Sequence, residues 1–314
     1  MSTADERPFF TVITPTYNRA AMMPRVLGSL AQQDFDRWEA IVVDDCGADD
    51  TERAVASFGD ARVRYLRHER NRGPCAARNT AAAVARGRWL LMVDSDFELL
   101  PGAMRALEAR CLAAPDDVGN VASIMSWDNG PPSPIPTPEA DLLLDYPSYL
   151  RWVSSLTHTE YFNCVRREVF DVVRYPEGRA YESEFNLNLA KRFRFALVTV
   201  RACLAHTDAR DRITRGPALQ RAKRLLRDAP DWSRSVEGTL RDHGDAMRAA
   251  SPAYYDHYAV HLANLRLLNG DRLGAIAALG EARASRVARP RTLLLTALGL
   301  VDRRVLALAQ GIRS

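Results

Sequence analysis

The chain has 314 residues, 47% hydrophobic and 26% charged, and 43 basic against 39 acidic side chains leave a formal net charge of only +4. That composition excludes global disorder and gives no sign of a nucleic-acid partner, and the length suits one large α/β domain of roughly 100–200 residues plus an appendage. Cys46, Cys75, Cys111, Cys164 and Cys203 are odd in number, widely spread and without a CxxC pair, so reduced thiols and a cytoplasmic location are expected.

In chain order, Phe10 to Thr14, Ala40 to Val43, Val63 to Leu66 and Trp89 to Val93 are short apolar runs separated by helical patterns at Met23 to Leu30 and Pro74 to Ala85. Strands alternating with helices predict right-handed βαβ units, hence a mostly parallel sheet with helices on both faces. A further strand is expected over Val118 to Met125. The five prolines of Gly130 to Pro138 predict a loop without regular structure over the active face. A helix is expected from Glu182 to Arg192, and beyond Pro217 the pattern is wholly helical: Leu219 to Leu226, Val236 to Met247, Tyr254 to Leu268 and Arg272 to Arg283.

The expected division is a domain over 1–216, with a nucleotide half at 9–125 and an acceptor half at 126–216, then a helical extension over 217–314. The polar start of the chain does not read as a signal peptide. The apolar stretch from Leu293 to Ala309 is broken by Asp302-Arg303-Arg304, which predicts a packed terminal helix rather than a span. Basic residues crowd Arg210 to Arg227, a face suited to anionic groups or a lipid surface, and equally to solvent.

Ligands of parallel sheets collect at the carboxyl ends of the strands. There the chain places Thr14-Pro15-Thr16-Tyr17-Asn18-Arg19, a loop with a ring and polar groups fit to seat a nucleobase edge, and Asp44-Asp45, fit to accept from a base or ribose. The turn Asn71 to Gly73 opens a helix carrying Arg78, which suits a bidentate hold on an aspartate or pyrophosphate. Asp94-Ser95-Asp96 ends the most apolar strand, where hard oxygen donors suit Mg2+ or Mn2+ and hence a phosphate-bearing substrate. The same residues would also serve as turn formers and helix caps. Trp127 is fit to line a sugar pocket or to fill a core.

Taken together, Thr11 to Arg19, Val42 to Thr51, Asn71 to Asn79 and Asp94 to Asp96 resemble, in order, the four motifs of the family 2 glycosyltransferases. The resemblance implies a GT-A fold and inverting transfer from a UDP- or GDP-linked sugar to a glycan, lipid-linked or small-molecule acceptor. It also implies a divalent metal, Mn2+ or Mg2+. It assigns the nucleobase to Asp45, the metal to Asp96, and ribose or metal to Asp94, with His206 as a third metal ligand. The family's acceptor-side acidic pair aligns with Tyr181-Glu182, which makes Glu182 the base and Glu184 its competitor. Cys46-Gly47 stands where the family has Gly-Ser, so an altered turn is expected there. A catalytically altered relative and a sugar-phosphate nucleotidyltransferase are the alternatives; the second lacks its glycine-rich loop, since Thr14 to Arg19 holds no glycine.

Overall fold

The computed structural model describes residues 7–157, 159–178, 182–208, 218–282 and 306–307. They fall into two compact units, one within Met1–Gly178 and Asn188–Thr207, the other within Arg179–Leu187 and Asp208–Ser314. The acidic segment from Glu182 therefore groups with the helical region, whereas the sequence pattern grouped it with the sheet.

In the first unit, β1 (Phe10–Thr16) is buried along its whole length. After a 3-10 turn come α1 (Met23–Ala31) and β2 (Trp38–Asp44), also wholly buried, then α2 (Thr51–Ala56) and β3 (Val63–Arg67). Next, α3 (Pro74–Val84) packs on β1 and β2 with Ala77 and Ala81 fully buried, small side chains that let a helix lie close to a sheet. Pro74 opens it at the position where its missing N–H costs nothing. The chain continues through β4 (Trp89–Met92), β5 (Phe97–Leu99), α4 (Ala103–Ala113) and β6 (Val118–Trp127). It then forms β7 (Gly130–Ser133), β8 (Leu142–Leu144), α5 (Tyr146–Ser155), β9 (Phe162–Arg166) and, after α6 (Glu182–Ala190), β10 (Arg194–Ala205).

The sheet runs β3-β2-β1-β4-β9-β6-β10-β5. Pairs among β3, β2, β1 and β4 are parallel, as expected. Beyond β4 the sheet is mixed, because β9 runs antiparallel to both β4 and β6 while β10 stays parallel to β6. The apolar faces of both halves close over one core in which Phe10, Leu27, Trp89, Leu91 and Phe162 are buried.

Two expectations are corrected. Part of the proline-rich stretch is strand β7, which among the described residues pairs only with β6 and carries Pro131 and Pro132; a residue without an N–H is tolerated where one edge faces no partner. In the second unit, the two helices expected on either side of Pro230 are one, α7 (Ala218–Ala250). Leu225, Leu226, Trp232 and Val236 pack with Leu262, Leu265 and Leu268 of α8 (Pro252–Leu268), and this packing outweighs the roughly 3 kcal/mol that an interior proline costs. After α8 comes α9 (Arg272–Glu281), capped by Asp271, so the expected hairpin forms. Tyr181, Arg210, Arg212 and Arg215, and nearly all of Leu293 to Ala309, lie outside the described residues.

Candidate active site

The four parallel strands bring their carboxyl ends to one edge. At the end of β1, Thr14 and Thr16 are buried and Tyr17 is 47% exposed, a ring presented to solvent at the rim. Asn18 takes a left-handed φ of 54°, which asparagine tolerates, and its Oδ1 accepts from the Ala48 N–H at 2.6 Å. The β1 and β2 loops are thereby tied together.

At the end of β2 the two acids are internal. Asp44 is fully buried; its Oδ1 accepts from the Gly47 N–H at 2.8 Å, and its Oδ2 from the Tyr65 hydroxyl at 2.9 Å and Arg67 Nη1 at 3.2 Å. Burial and the Asp44 carboxylate push the Tyr65 phenol up to about 12, so it stays a donor. Asp45 accepts from the Arg72 N–H at 2.8 Å and the Gly73 N–H at 2.7 Å, and its Oδ1 lies 2.7 Å from His68 Nδ1. His68 in turn reaches Thr80 Oγ1 at 2.9 Å. Asp45 thus shapes the turn before α3, and these three contacts leave little of a carboxylate's capacity of about four lone pairs. Sequence reasoning missed Tyr65, Arg67, His68 and Thr80, since nothing in a linear pattern shows which donors meet a carboxylate inside the fold.

The altered turn has a defined geometry. Cys46, where the family has glycine, sits at φ 65°, a region that costs an L residue about 1–2 kcal/mol. Gly47 carries no side chain, and a Cβ there would stand 2.8 Å from Asp44 Oδ1 and 3.0 Å from the Asn18 nitrogen. The pair has exchanged which residue needs the room.

At the end of β4, Asp94 Oδ1 lies 2.6 Å from Nη2 of Arg78, a buried arginine one turn into α3. Asp96 Oδ2 lies 3.4 Å from Arg19 Nη1, which also donates to Ser95 Oγ at 3.1 Å. Asn79, beside Arg78, braces the backbone of Tyr175 through both its amide atoms, at 2.9 and 3.0 Å.

His206 is the ladder neighbour of Asp96, since its N–H donates to the Asp96 carbonyl at 2.9 Å. Its ring Nε2 lies 2.8 Å from Glu98 Oε2, and Nδ1 is 3.9 Å from Asp128 Oδ2. Glu98 carries no signal of its own in the sequence beyond strand alternation from Asp96, which puts position 98 on the same face. Trp127 ends β6, half-buried, opposite Ala205.

In the second unit, Glu182 and Glu184 stand in the first turn of α6. Glu182 is exposed. Glu184 is half-buried and accepts from Ser235 Oγ of α7 at 2.5 Å; burial raises its pKa, with the Asp242 charge adding to the rise.

A divalent cation fits the donor chemistry of the β4 edge: Asp94 and Asp96 are hard oxygen ligands, and Mg2+ or Mn2+ sites of this kind use one or two carboxylates, with phosphates and water completing the shell. Among the described residues no group of three or more histidines, cysteines and acids is arranged as a ready cage.

The profile of the family described as glycosyl transferase family 2 matches residues 11–176. The chain belongs to this family. It is 41% identical over 110 residues to the succinoglycan biosynthesis protein ExoO of Rhizobium meliloti, covering 35% of this chain and 32% of that protein. It is 36% identical over 86 residues to WfgD of Escherichia coli, a UDP-Glc:alpha-D-GlcNAc-diphosphoundecaprenol beta-1,3-glucosyltransferase, covering 27% of this chain and 34% of the relative. These matches span about a third of each relative's length. Among solved structures, Staphylococcus aureus TarS 1-349 in complex with UDP-GlcNAc superposes with a TM-score of 0.56 at 20% identity, covering 86% of this chain and 89% of that one. The mannosyltransferase PcManGT of Pyrobaculum calidifontis, in complex with GDP-Man and Mn2+, gives 0.51 at 20% identity over 96% of this chain and 86% of that one. At these identities the likeness establishes that the family 2 chain has the GT-A-like fold.

Proposed function

We propose that the chain is an inverting glycosyltransferase that moves a sugar from a UDP- or GDP-linked donor to an acceptor hydroxyl in polysaccharide or glycoconjugate biosynthesis. The observation that carries the reading is Asp94-Ser95-Asp96 at the carboxyl end of β4, braced by Arg78 and Arg19 inside the matched stretch. WfgD, named for UDP-Glc, and the TarS and PcManGT complexes with UDP-GlcNAc and GDP-Man support the donor class.

Tyr17 stacks on the nucleobase, with Thr14 and Pro15 lining its edge and the remaining acceptor capacity of Asp45 directed to its N–H; Asp44 acts from behind by holding the β2 loop. Arg78 keeps Asp94 in place. A Mn2+ or Mg2+ held by Asp96 and Asp94, with His206 as third ligand steadied by Glu98, would neutralise charge on the departing diphosphate. In this reading the base that takes the acceptor hydroxyl's proton, as that oxygen attacks the anomeric carbon and the bond to the diphosphate oxygen breaks, is Glu182, the residue that aligns with the family's acceptor-side acid. Glu184, in the same first turn, stays its competitor: it accepts from Ser235, and burial raises its pKa, which suits a carboxylate to take up a proton. Trp127 lines the sugar.

By role, residues 1–216 serve as the transferase domain and 217–314 as a helical extension. Among the described residues no helix is long and apolar enough to cross a membrane. A cytoplasmic location with peripheral contact through the basic stretch at 210–227 suits a lipid-linked acceptor of the kind named for WfgD.

The test is a thermal-shift screen of UDP- and GDP-sugars with and without Mn2+, followed by measured release of the nucleoside diphosphate. One donor is expected to raise the melting temperature and to turn over with Mn2+ only. Absence of any shift and of any turnover across the screen would remove this reading.

A further inference from the structure

Arg19 and Arg78 meet the same acidic tripeptide but are held differently. The Arg78 side chain is 3% exposed, and its Nη2 sits 2.6 Å from Asp94. Arg19 is 17% exposed and stands 3.4 Å from Asp96, while its hydrogen bond at 3.1 Å goes to the uncharged Ser95 hydroxyl. The backbone on either side of Arg19 is fixed: Asn18 Oδ1 accepts from the Ala48 N–H at 2.6 Å, and the Ala20 N–H donates to Asp49 Oδ2 at 2.7 Å. An anchored arm with a loosely engaged head can change partner without moving the chain.

We propose that Arg19 is the exchangeable counter-ion of Asp96: it stays on the carboxylate while no divalent cation is bound, and turns to the phosphates when metal and nucleotide arrive together. This rests on the metal and nucleotide reading of the tripeptide given above. Asp94 and Asp96 carry two negative charges, which Arg78 and Arg19 balance. A bare divalent cation therefore enters against two guanidinium groups. A cation accompanied by a diphosphate brings its own negative charge, and an arginine released from a carboxylate makes bidentate bonds to phosphate oxygens. The site is thus built to refuse the metal alone, and because coupling between two ligands is reciprocal, nucleotide and metal strengthen each other by one common factor. Arg78, buried and close, serves as the permanent partner that keeps Asp94 oriented throughout.

The experiment is calorimetric titration of Mn2+ into the full chain as wild type, Arg19→Gln, Arg19→Met and Arg19→Lys, each without nucleotide, with saturating UDP and with saturating GDP, with circular dichroism as the check on folding. Arg19→Gln and Arg19→Met are expected to bind Mn2+ alone about tenfold more tightly than wild type, and to lose about the same factor from the tightening that the bound nucleotide, UDP or GDP, confers. Arg19→Lys, which keeps the charge but not the bidentate fork, should bind bare Mn2+ within about threefold of wild type and lose part of the tightening that UDP or GDP confers. Neutral variants that bind bare Mn2+ no more tightly than wild type overturn the proposal. A wild type that takes up Mn2+ but neither UDP nor GDP overturns the nucleotide reading instead, and the bare Mn2+ comparison still decides whether Arg19 competes with the cation. Failure of every form to bind Mn2+ overturns both.

Discussion

Two acidic pairs stand on the same edge of one sheet, Asp44-Asp45 at the end of β2 and Asp94 with Asp96 at the end of β4, and they are treated in opposite ways. The first pair is met largely by donors that cannot leave: the Gly47, Arg72 and Gly73 N–H groups, the Tyr65 hydroxyl and the His68 ring. The second pair is met by two arginine heads, one of them at 3.4 Å and partly exposed. A carboxylate tied to backbone N–H groups shapes a loop, whereas one balanced by a mobile cation is available to another cation. Aspartates at the strand ends therefore do not form one uniform site.

Substitution separates the two pairs most sharply at Asp96. Asp96→Asn should lower kcat/KM for the identified donor by about 10^3, the loss of about 4 kcal/mol of transition-state stabilisation, with the melting temperature nearly unchanged. Asp44→Ala should do the reverse in kind: it strands Tyr65, Arg67 and the Gly47 N–H around a removed charge, so a loss of about 3 kcal/mol in urea unfolding is expected. If Asp44→Ala leaves stability intact and only weakens donor binding, the contrast is broken.

A third carboxylate, at the opposite end of β2, sharpens the contrast through pH. Glu39 is buried; burial by itself would raise its pKa, but the Arg86 N–H, the Thr11 hydroxyl and the Arg86 guanidinium together hold it below the ordinary value near 4.5. A lowered folded pKa means that the stabilisation is fully present above the unfolded value and is lost as pH falls through the folded one. Glu39→Gln should therefore cost about 1–3 kcal/mol at pH 7, and thermal melts of the two forms should converge below about pH 4.5. A constant gap down to pH 3 would assign the effect to packing.

The smallest effect concerns the exchanged turn. Cys46→Gly relieves a left-handed cysteine but adds freedom to the unfolded chain, for a net gain of about 0.5 kcal/mol. Adding Gly47→Ser should reverse the gain, since its Cβ would crowd Asp44 and the Asn18 nitrogen. Chemical denaturation of the single and double variants reads both signs.

The parallel half of the fold was legible because βαβ units write themselves in alternating apolar runs, and β1 to β4 fell where Phe10, Ala40, Val63 and Trp89 begin such runs. The mixed half was not, since the antiparallel insertion of β9 between β4 and β6 joins residues more than 40 apart in the chain, such as Asn120 and Val165. The break expected between Leu226 and Val236 does not occur, because apolar packing along α7 carries the helix through Pro230. In the site, acidic residues were visible by type and position, but their partners were not. Glu98 beside His206, and His68 beside Asp45, are pairings made by neighbouring strands of the sheet, not by spacing.

The edge strand β7 has one more effect. Pro131 and Pro132 are consecutive, and since successive residues of a strand turn their backbone groups to opposite edges, one of these positions without an N–H lies on its outward side. A foreign strand arriving there finds an incomplete row of donors, so this rim of the molecule is a poor template for chain-to-chain accretion, and crowded solutions are discouraged from growing β aggregates outward from it.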